Sequence, residues 1–187
     1  MRKIIILLSL IASCTQLEIK KNKPVAEIKK IENPIVETVK KIGFDCKSCN
    51  SRELIKVKKA EVKANEIVQS KCFKDFMINW GLIWTNNKTA SQVVTHIQNS
   101  NLTVPVHYYY GNCNVVGYRQ PPKPDIYFNR CSHDQYKDTP YGICQTASNA
   151  VHEWSHALGY DHSFNKTYNR GKTVPYAINQ AFNKCCN

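Results

Sequence analysis

The sequence predicts a small α+β domain that is cross-linked by disulfides and preceded by an exported leader and a charged tether. Three observations support this prediction. The chain of 187 residues is near the size of one domain. Two helical segments precede two strand-like segments, and a third helical segment follows. Eight of the nine cysteines fall between residues 46 and 186, and an even number in an exported chain indicates disulfides.

The first thirteen residues have the pattern of an export signal. Arg2 and Lys3 form a basic start, and residues 4–12 are apolar apart from Ser9. A run this short, rising about 1.5 Å per residue, cannot cross a hydrocarbon core about 30 Å thick. Residues 1–13 are therefore predicted to be a signal peptide rather than a membrane span.

The end of this leader, LIASC at residues 10–14, resembles the lipobox of bacterial lipoproteins. The resemblance implies that Cys14 is lipidated and anchors the protein in a membrane of the bacterial cell envelope. Thr15 stands where some bacteria place an inner-membrane retention aspartate, which slightly favours the outer membrane. The alternative is an ordinary secretory leader with an incidental cysteine, in which case the protein is secreted.

Residues 14–63 are predicted to form a tether between the anchor and the domain. They are rich in Lys and Glu, poor in aromatic residues, and interrupted by Pro24 and Pro34. Such a composition buries too little apolar surface to offset chain entropy. Most of the excess positive charge of the chain, which totals +12, lies before residue 64, where it favours an anionic lipid surface. The sequence lacks aromatic interleaving and DNA-binding motifs, so nucleic acid is not an expected partner.

Five elements and one loop are predicted for the domain, residues 64–187. Apolar residues at helical spacing indicate helices, and β-branched or aromatic runs bounded by Gly, Pro and Asn indicate strands. Gly159 ends the last helix, and the proline-rich residues 120–124 form a loop. The predicted helices span 65–80, 91–98 and 143–158, and the predicted strands span 102–110 and 125–129.

The cysteines leave several pairings open, because eight cysteines allow 105 connectivities. Cys185 and Cys186 are adjacent and are expected to bond to two separate partners, since a bridge between neighbours is strained. Cys46 and Cys49 are expected to be disulfide partners that could tie the end of the tether to the domain. A zinc-thiolate site, or a thiolate that caps a catalytic metal in a latent precursor, is the alternative for this pair.

The sequence HEWSHALGYDH at residues 152–162 carries the candidate metal site. His152 and His156 lie four residues apart on a predicted helix and can aim their nitrogens at one point. Gly159 permits a sharp turn that brings His162 back as a third ligand. Three protein ligands leave the fourth tetrahedral position open for water, which is typical of a catalytic zinc site. Glu153, offset around the helix, is the candidate general base.

The same residues resemble the metzincin clan of zinc metallopeptidases, whose signature HExxHxxGxxH the chain matches at every fixed position. The resemblance implies one Zn²⁺ ion held by His152, His156 and His162, with Glu153 acting as general base and acid. The remaining histidines, His96, His107 and His133, are expected to have surface or core roles.

The resemblance also implies a metzincin-like fold in which a small mixed sheet and two helices lie above the active-site helix. The substrate would extend along an edge strand above that helix, and residues 125–129 are the candidate for a strand near this cleft. Metzincins have a methionine in a tight turn beneath the zinc, whereas Met1 and Met77 both precede the motif. Residues 173–177 lie where that turn is expected and look like a variant of bacterial relatives. Tyr176 in this segment is a candidate to stabilise an oxyanion or donate a proton, the alternative being a packed tyrosine.

Together these features predict a monomeric zinc metalloendopeptidase that hydrolyses protein or peptide substrates with Glu153 as the general base. The alternative function is that of a non-catalytic surface binding protein or adhesin, in which zinc is a structural element.

Overall fold

A four-stranded mixed sheet supports the candidate site. The computed structural model describes residues 42–162 and 169–186. Its strands are β1 (Ile42–Cys46), β2 (Leu102–Tyr109), β3 (Gly117–Arg119) and β4 (Ile126–Asn129). The strand order is β1-β2-β4-β3, with β1, β2 and β4 parallel and β3 antiparallel to β4. Strand β3 is therefore an edge strand.

Six helices surround this sheet in the part of the chain that is described. None of these helices is long and apolar enough to span a membrane. The helices are α1 (Ser51–Val68), α2 (Lys71–Asn79), α3 (Ala90–Asn99), α4 (Arg130–Gln135), α5 (Pro140–Ala157) and α6 (Val174–Cys185). Helix α5 packs between α1 and α6 and also contacts β3 and β4.

The core lies between one face of the sheet and the helices. Alternate residues of the strands, such as Val104, Val106 and Phe128, are buried on that face, as the two-residue period of a strand requires. Trp154 of α5 is fully buried, and its Nε1 donates a hydrogen bond to the carbonyl of Leu102 at 3.0 Å. Helix α5 is thereby attached directly to β2.

The folded part begins earlier than the predicted domain boundary. β1 pairs with β2, and α1 begins with a capping box formed by Asn50 and Glu53. Val57 and Ala60 are buried, while Lys58 and Lys59 are exposed. The prediction of a tether is therefore wrong for residues 42–63, which are an amphipathic part of the domain. The predicted signal peptide, the lipidation of Cys14 and the rest of the tether lie outside the described residues.

Most predicted elements of the domain are confirmed within three residues of their bounds, namely α3, β2, β4 and α5. The helix predicted for 65–80 is instead the end of α1 and all of α2, because the chain turns at Gln69 and Ser70 caps α2. Residues 173–177 do not form a free turn: Thr173 is the N-cap of α6. The strand predicted for 125–129 is β4, which lies inside the sheet between β2 and β3 and contacts α5. Strand β3 and helices α4 and α6 were not predicted.

Disulfides fasten α6 to two other helices. Cys185 bonds to Cys72 of α2, and Cys186 bonds to Cys144 of α5, so the prediction of two separate partners is confirmed. Cys113 bonds to Cys131. The fourth bond joins Cys46 to Cys49, so this pair offers no free thiolate to a metal and does not connect distant segments.

Removal of the Cys72–Cys185 bond should destabilise the domain strongly, because this bond closes a loop across 113 residues. The chain-entropy relation gives about 5 kcal/mol for a loop of this size. The expected result is a loss of that order in the free energy of unfolding of Cys72→Ala/Cys185→Ala, measured with urea.

The control for this prediction is Cys46→Ala/Cys49→Ala, which removes a bond between residues three apart. The same relation gives about 2 kcal/mol for so short a loop. Equal losses in the two double variants would contradict the assigned pairing.

Candidate metal centre

The end of α5 sets the positions of the candidate ligands. Gly159 has a φ of 89°, a left-handed conformation that favours glycine. Its N–H bonds to the carbonyl of His156 at 3.0 Å, and the N–H of Tyr160 bonds to the carbonyl of Ser155 at 3.1 Å. This is the hydrogen-bond pattern of a Schellman motif, which reverses the chain and brings His162 beside the helix.

Three histidines come together at this reversal. The ring centroids of His152 and His156 are 5.3 Å apart, and that of His162 lies 5.3 Å and 4.8 Å from them. One nitrogen from each ring lies within 4.8 Å of the other two. Nitrogens that share a tetrahedral ion at bond lengths near 2.0–2.1 Å are about 3.3 Å apart. Small side-chain rotations would close that difference, so the three residues could hold a metal ion.

Hydrogen bonds orient two of these rings. The Nδ1 atom of His156 lies 2.6 Å from the carbonyl oxygen of Tyr160 and 3.2 Å from Oδ1 of Asp161. Both oxygens are acceptors, so Nδ1 carries the proton and Nε2 is left for a metal. The side-chain Nδ2 of Asn179 lies 3.1 Å from Nδ1 of His152 and donates to it, so this hydrogen bond orients the ring with Nδ1 as the acceptor.

Burial keeps the candidate ligands neutral. Desolvation lowers the pKa of His152 well below its usual value, and the neighbouring His156 and His162 lower it further. Desolvation likewise lowers the pKa of His156, although its hydrogen bond to Tyr160 opposes the shift. Neutral imidazole is the form that binds metals, so the site is in its binding form at neutral pH.

Glu153 follows the first ligand on α5. Burial raises the pKa of its carboxyl to about 7, and the positive charge of Arg119 partly opposes this shift. Arg119 extends from β3 and donates from Nη1 to the carbonyl of His156 at 3.0 Å. A carboxyl with a pKa near neutrality can both accept and return a proton under the same conditions.

Tyr176 and Arg170 lie next to the histidines. The ring centroid of Tyr176 is 4.9 Å from that of His152 and 4.7 Å from that of His162. The guanidinium carbon of Arg170 lies 4.4 Å from the Tyr176 ring centroid. Burial raises the pKa of Tyr176, so its hydroxyl keeps its proton at neutral pH and can donate it to a hydrogen bond.

The structure therefore brings together the predicted residues His152, His156, His162 and Tyr176. Glu153 lies on α5 with His152 and His156. It also reveals four partners that were not predicted. Asp161 lies within the motif and could have been noticed from its position beside His162. The other three come from separate elements and have no signal in the sequence: Arg119, Arg170 and Asn179.

The remaining histidines are outside this group, as predicted. Nδ1 of His96 lies 2.8 Å from the hydroxyl of Tyr160, and Nε2 of His107 lies 3.3 Å from a carboxylate oxygen of Asp125. His133 is buried in the core and stacks on Phe128, with ring centroids 4.1 Å apart.

Comparisons with known proteins leave the function to be inferred from the side chains of the site. No protein-family model matches the chain, and no curated protein or solved structure matches it. A fold class by itself does not determine a function.

The buried His133 should make the domain less stable in acid. Desolvation, and then the charge of Lys56, lower the pKa of His133 to about 3 from its usual 6.5. Between these values the unfolded chain binds a proton that the folded chain excludes, so stability falls as the pH drops below about 6.5. The contribution of His133 approaches about 1.4 kcal/mol per pH unit.

The measurement is the free energy of unfolding of the wild type and of His133→Phe at several pH values from 7 to 4. Phenylalanine preserves the stacked ring and cannot be protonated. The variant is expected to lose less stability per pH unit than the wild type. Parallel curves would show that His133 does not resist protonation.

Proposed function

We propose that this chain is a zinc-dependent endopeptidase of the metzincin type, which hydrolyses peptide bonds with an activated water molecule. The observation that carries the proposal is the convergence of three histidines beside a carboxyl whose pKa is near 7. A structural metal has no need of such a carboxyl, whereas a hydrolytic site requires a base that works at neutral pH. This contrast favours an enzyme over a non-catalytic binding protein or adhesin.

Zinc is the proposed ion because its preferred ligands include neutral imidazole, and three protein ligands leave one tetrahedral position open. His152, His156 and His162 would hold it. When bound, the ion supplies an electrophile that acidifies a water molecule and polarises a carbonyl group.

The other groups of the site supply proton transfer, stabilisation of the transition state and substrate binding. Glu153 takes a proton from the water and passes it to the leaving amine, so no covalent intermediate with the protein is needed. The hydroxyl of Tyr176 donates a hydrogen bond to the oxygen that becomes negative in the transition state. Edge strand β3, which contacts α5, offers free backbone groups along which an extended peptide can bind.

The disulfides of the described domain support a location outside a reducing cytoplasm, because such bonds persist in oxidising compartments. This is consistent with the proposed export of the chain to the cell envelope and with the proposed lipid anchor at Cys14.

Replacement of Glu153 by glutamine should abolish turnover and leave metal binding intact. The amide preserves the shape of the side chain but cannot accept the proton, so we expect a loss of about 10²–10⁴-fold in kcat. The measurements are zinc content by mass spectrometry and cleavage of an unfolded protein by the full chain.

The matched control is Glu66→Gln, which makes the same change on the exposed surface of α1 and should keep full activity. Undiminished cleavage by Glu153→Gln would refute the assigned base. Zinc binding without cleavage by the wild type would favour the adhesin alternative.

Tyr176→Phe should lower kcat by about 10²–10³-fold with little change in zinc content, because it removes one donor to the developing oxyanion. Tyr141→Phe is the control, since Tyr141 is 69% exposed. If both variants are equally active, Tyr176 has only a packing role.

A further inference from the structure

Arg170 lies close to the candidate metal centre, over the ring of Tyr176. Its guanidinium carbon is 4.4 Å from the ring centroid of Tyr176. The same ring also has His152 and His162 as neighbours, whose centroids are 4.9 Å and 4.7 Å away. A group bound to Arg170 would therefore belong to a residue close to the bond being hydrolysed.

The backbone that carries Arg170 is held in place by several hydrogen bonds. It belongs to a short 3₁₀ turn, Arg170–Lys172. Oγ1 of Thr173 donates to the carbonyl of Arg170 at 2.8 Å. Nε1 of Trp80 donates to the carbonyl of Gly171 at 2.9 Å, and the N–H of Ile83 donates to the carbonyl of Lys172 at 3.0 Å. Residues of another segment, Trp80 and Ile83, thus hold the turn in place, so the backbone of Arg170 is positioned before a ligand binds.

Among the described residues, no carboxylate forms an ion pair with Arg170. Its Nε atom is buried and has no hydrogen-bond partner there. The neighbouring residues 163–168, SFNKTY, contain no Asp or Glu. The guanidinium fork matches a carboxylate in two parallel hydrogen bonds, and a partly buried cation gains most from such a partner.

We propose that Arg170 binds a carboxylate of the substrate and makes the enzyme select peptides with an acidic group next to the scissile bond. The inference rests on the proposed peptidase function. The carboxylate can come from an Asp or Glu side chain or from a free C-terminus, and both present the same two oxygens to the guanidinium group.

The first test is cleavage of a random hexapeptide library by the zinc-loaded full chain, with cleavage sites located by mass spectrometry. One half of the library is amidated at the C-terminus and the other half is not. We expect about tenfold enrichment of Asp and Glu over Asn and Gln beside the cleaved bond in the amidated half. Enrichment confined to bonds near the free C-terminus in the other half would identify the terminal carboxylate as the source.

Arg170→Gln should abolish this enrichment while leaving thermal stability and zinc content unchanged. Lys172→Gln is the matched control, because it removes one positive charge from an exposed side chain of the same turn and should keep the preference. Equal preferences in the wild type and Arg170→Gln, or no acidic preference in the wild type, would overturn the inference.

A binding measurement separates this inference from the proposed function. The amidated library is passed over immobilised, zinc-loaded Glu153→Gln protein and over Glu153→Gln/Arg170→Gln protein. Retention of acidic peptides that depends on Arg170 supports the inference even if the wild type cleaves nothing, in which case only the peptidase function fails. Retention that ignores acidic residues, or that persists without Arg170, overturns the inference.

Discussion

The burial of α5 is the constraint on which the rest of the structure depends. Trp154 is wholly enclosed, and its hydrogen bond to the Leu102 carbonyl fixes the helix against the central strand of the sheet. Burial of a side chain of this size contributes roughly 2–3 kcal/mol or more. The same turns of α5 carry His152, Glu153 and His156. The packing of the core therefore determines where these three side chains lie. A shift or rotation of α5 would therefore disrupt the packing of Trp154 and the positions of the site residues together.

The sequence predicts this helix well and the start of the domain poorly, for one physical reason. Helix α5 is buried over most of its circumference and carries apolar residues at helical spacing, so its sequence pattern is clear. Helix α1 buries only one narrow face, which includes the small Ala60 and Ala64 and the charged Glu61. Glu61 is acceptable in the core because it accepts a hydrogen bond from the N–H of Phe44 at 2.9 Å. Composition alone cannot reveal a carboxylate that is satisfied by a strand seventeen residues earlier.

In the candidate site, too, residues that are close in the sequence can be predicted, whereas residues that the fold brings together from separate elements cannot. The three histidines are recognisable because helix geometry and a glycine turn bring them together over eleven residues. Arg119, Asn179 and Arg170 reach the site from β3, α6 and the 3₁₀ turn, whose places depend on the completed fold. Helix α6 did have a sequence signal, since Val174, Ala177, Ile178 and Ala181 are buried at helical spacing. The resemblance to metzincins predicts a turn for that segment, whereas the spacing of its apolar residues indicates the helix that is present.

The disulfides of Cys185 and Cys186 have a consequence for the living cell. They hold α6, and α6 carries Tyr176 and Asn179, the residues beside His152. A reduced chain retains the histidines of α5 but lacks the covalent restraint on the helix that orients them. Where glutathione keeps thiols reduced, the candidate metal centre therefore lacks part of its support. For the proposed hydrolase, this makes the oxidation of Cys185 and Cys186 a condition for a fully ordered site, which a reducing compartment does not provide.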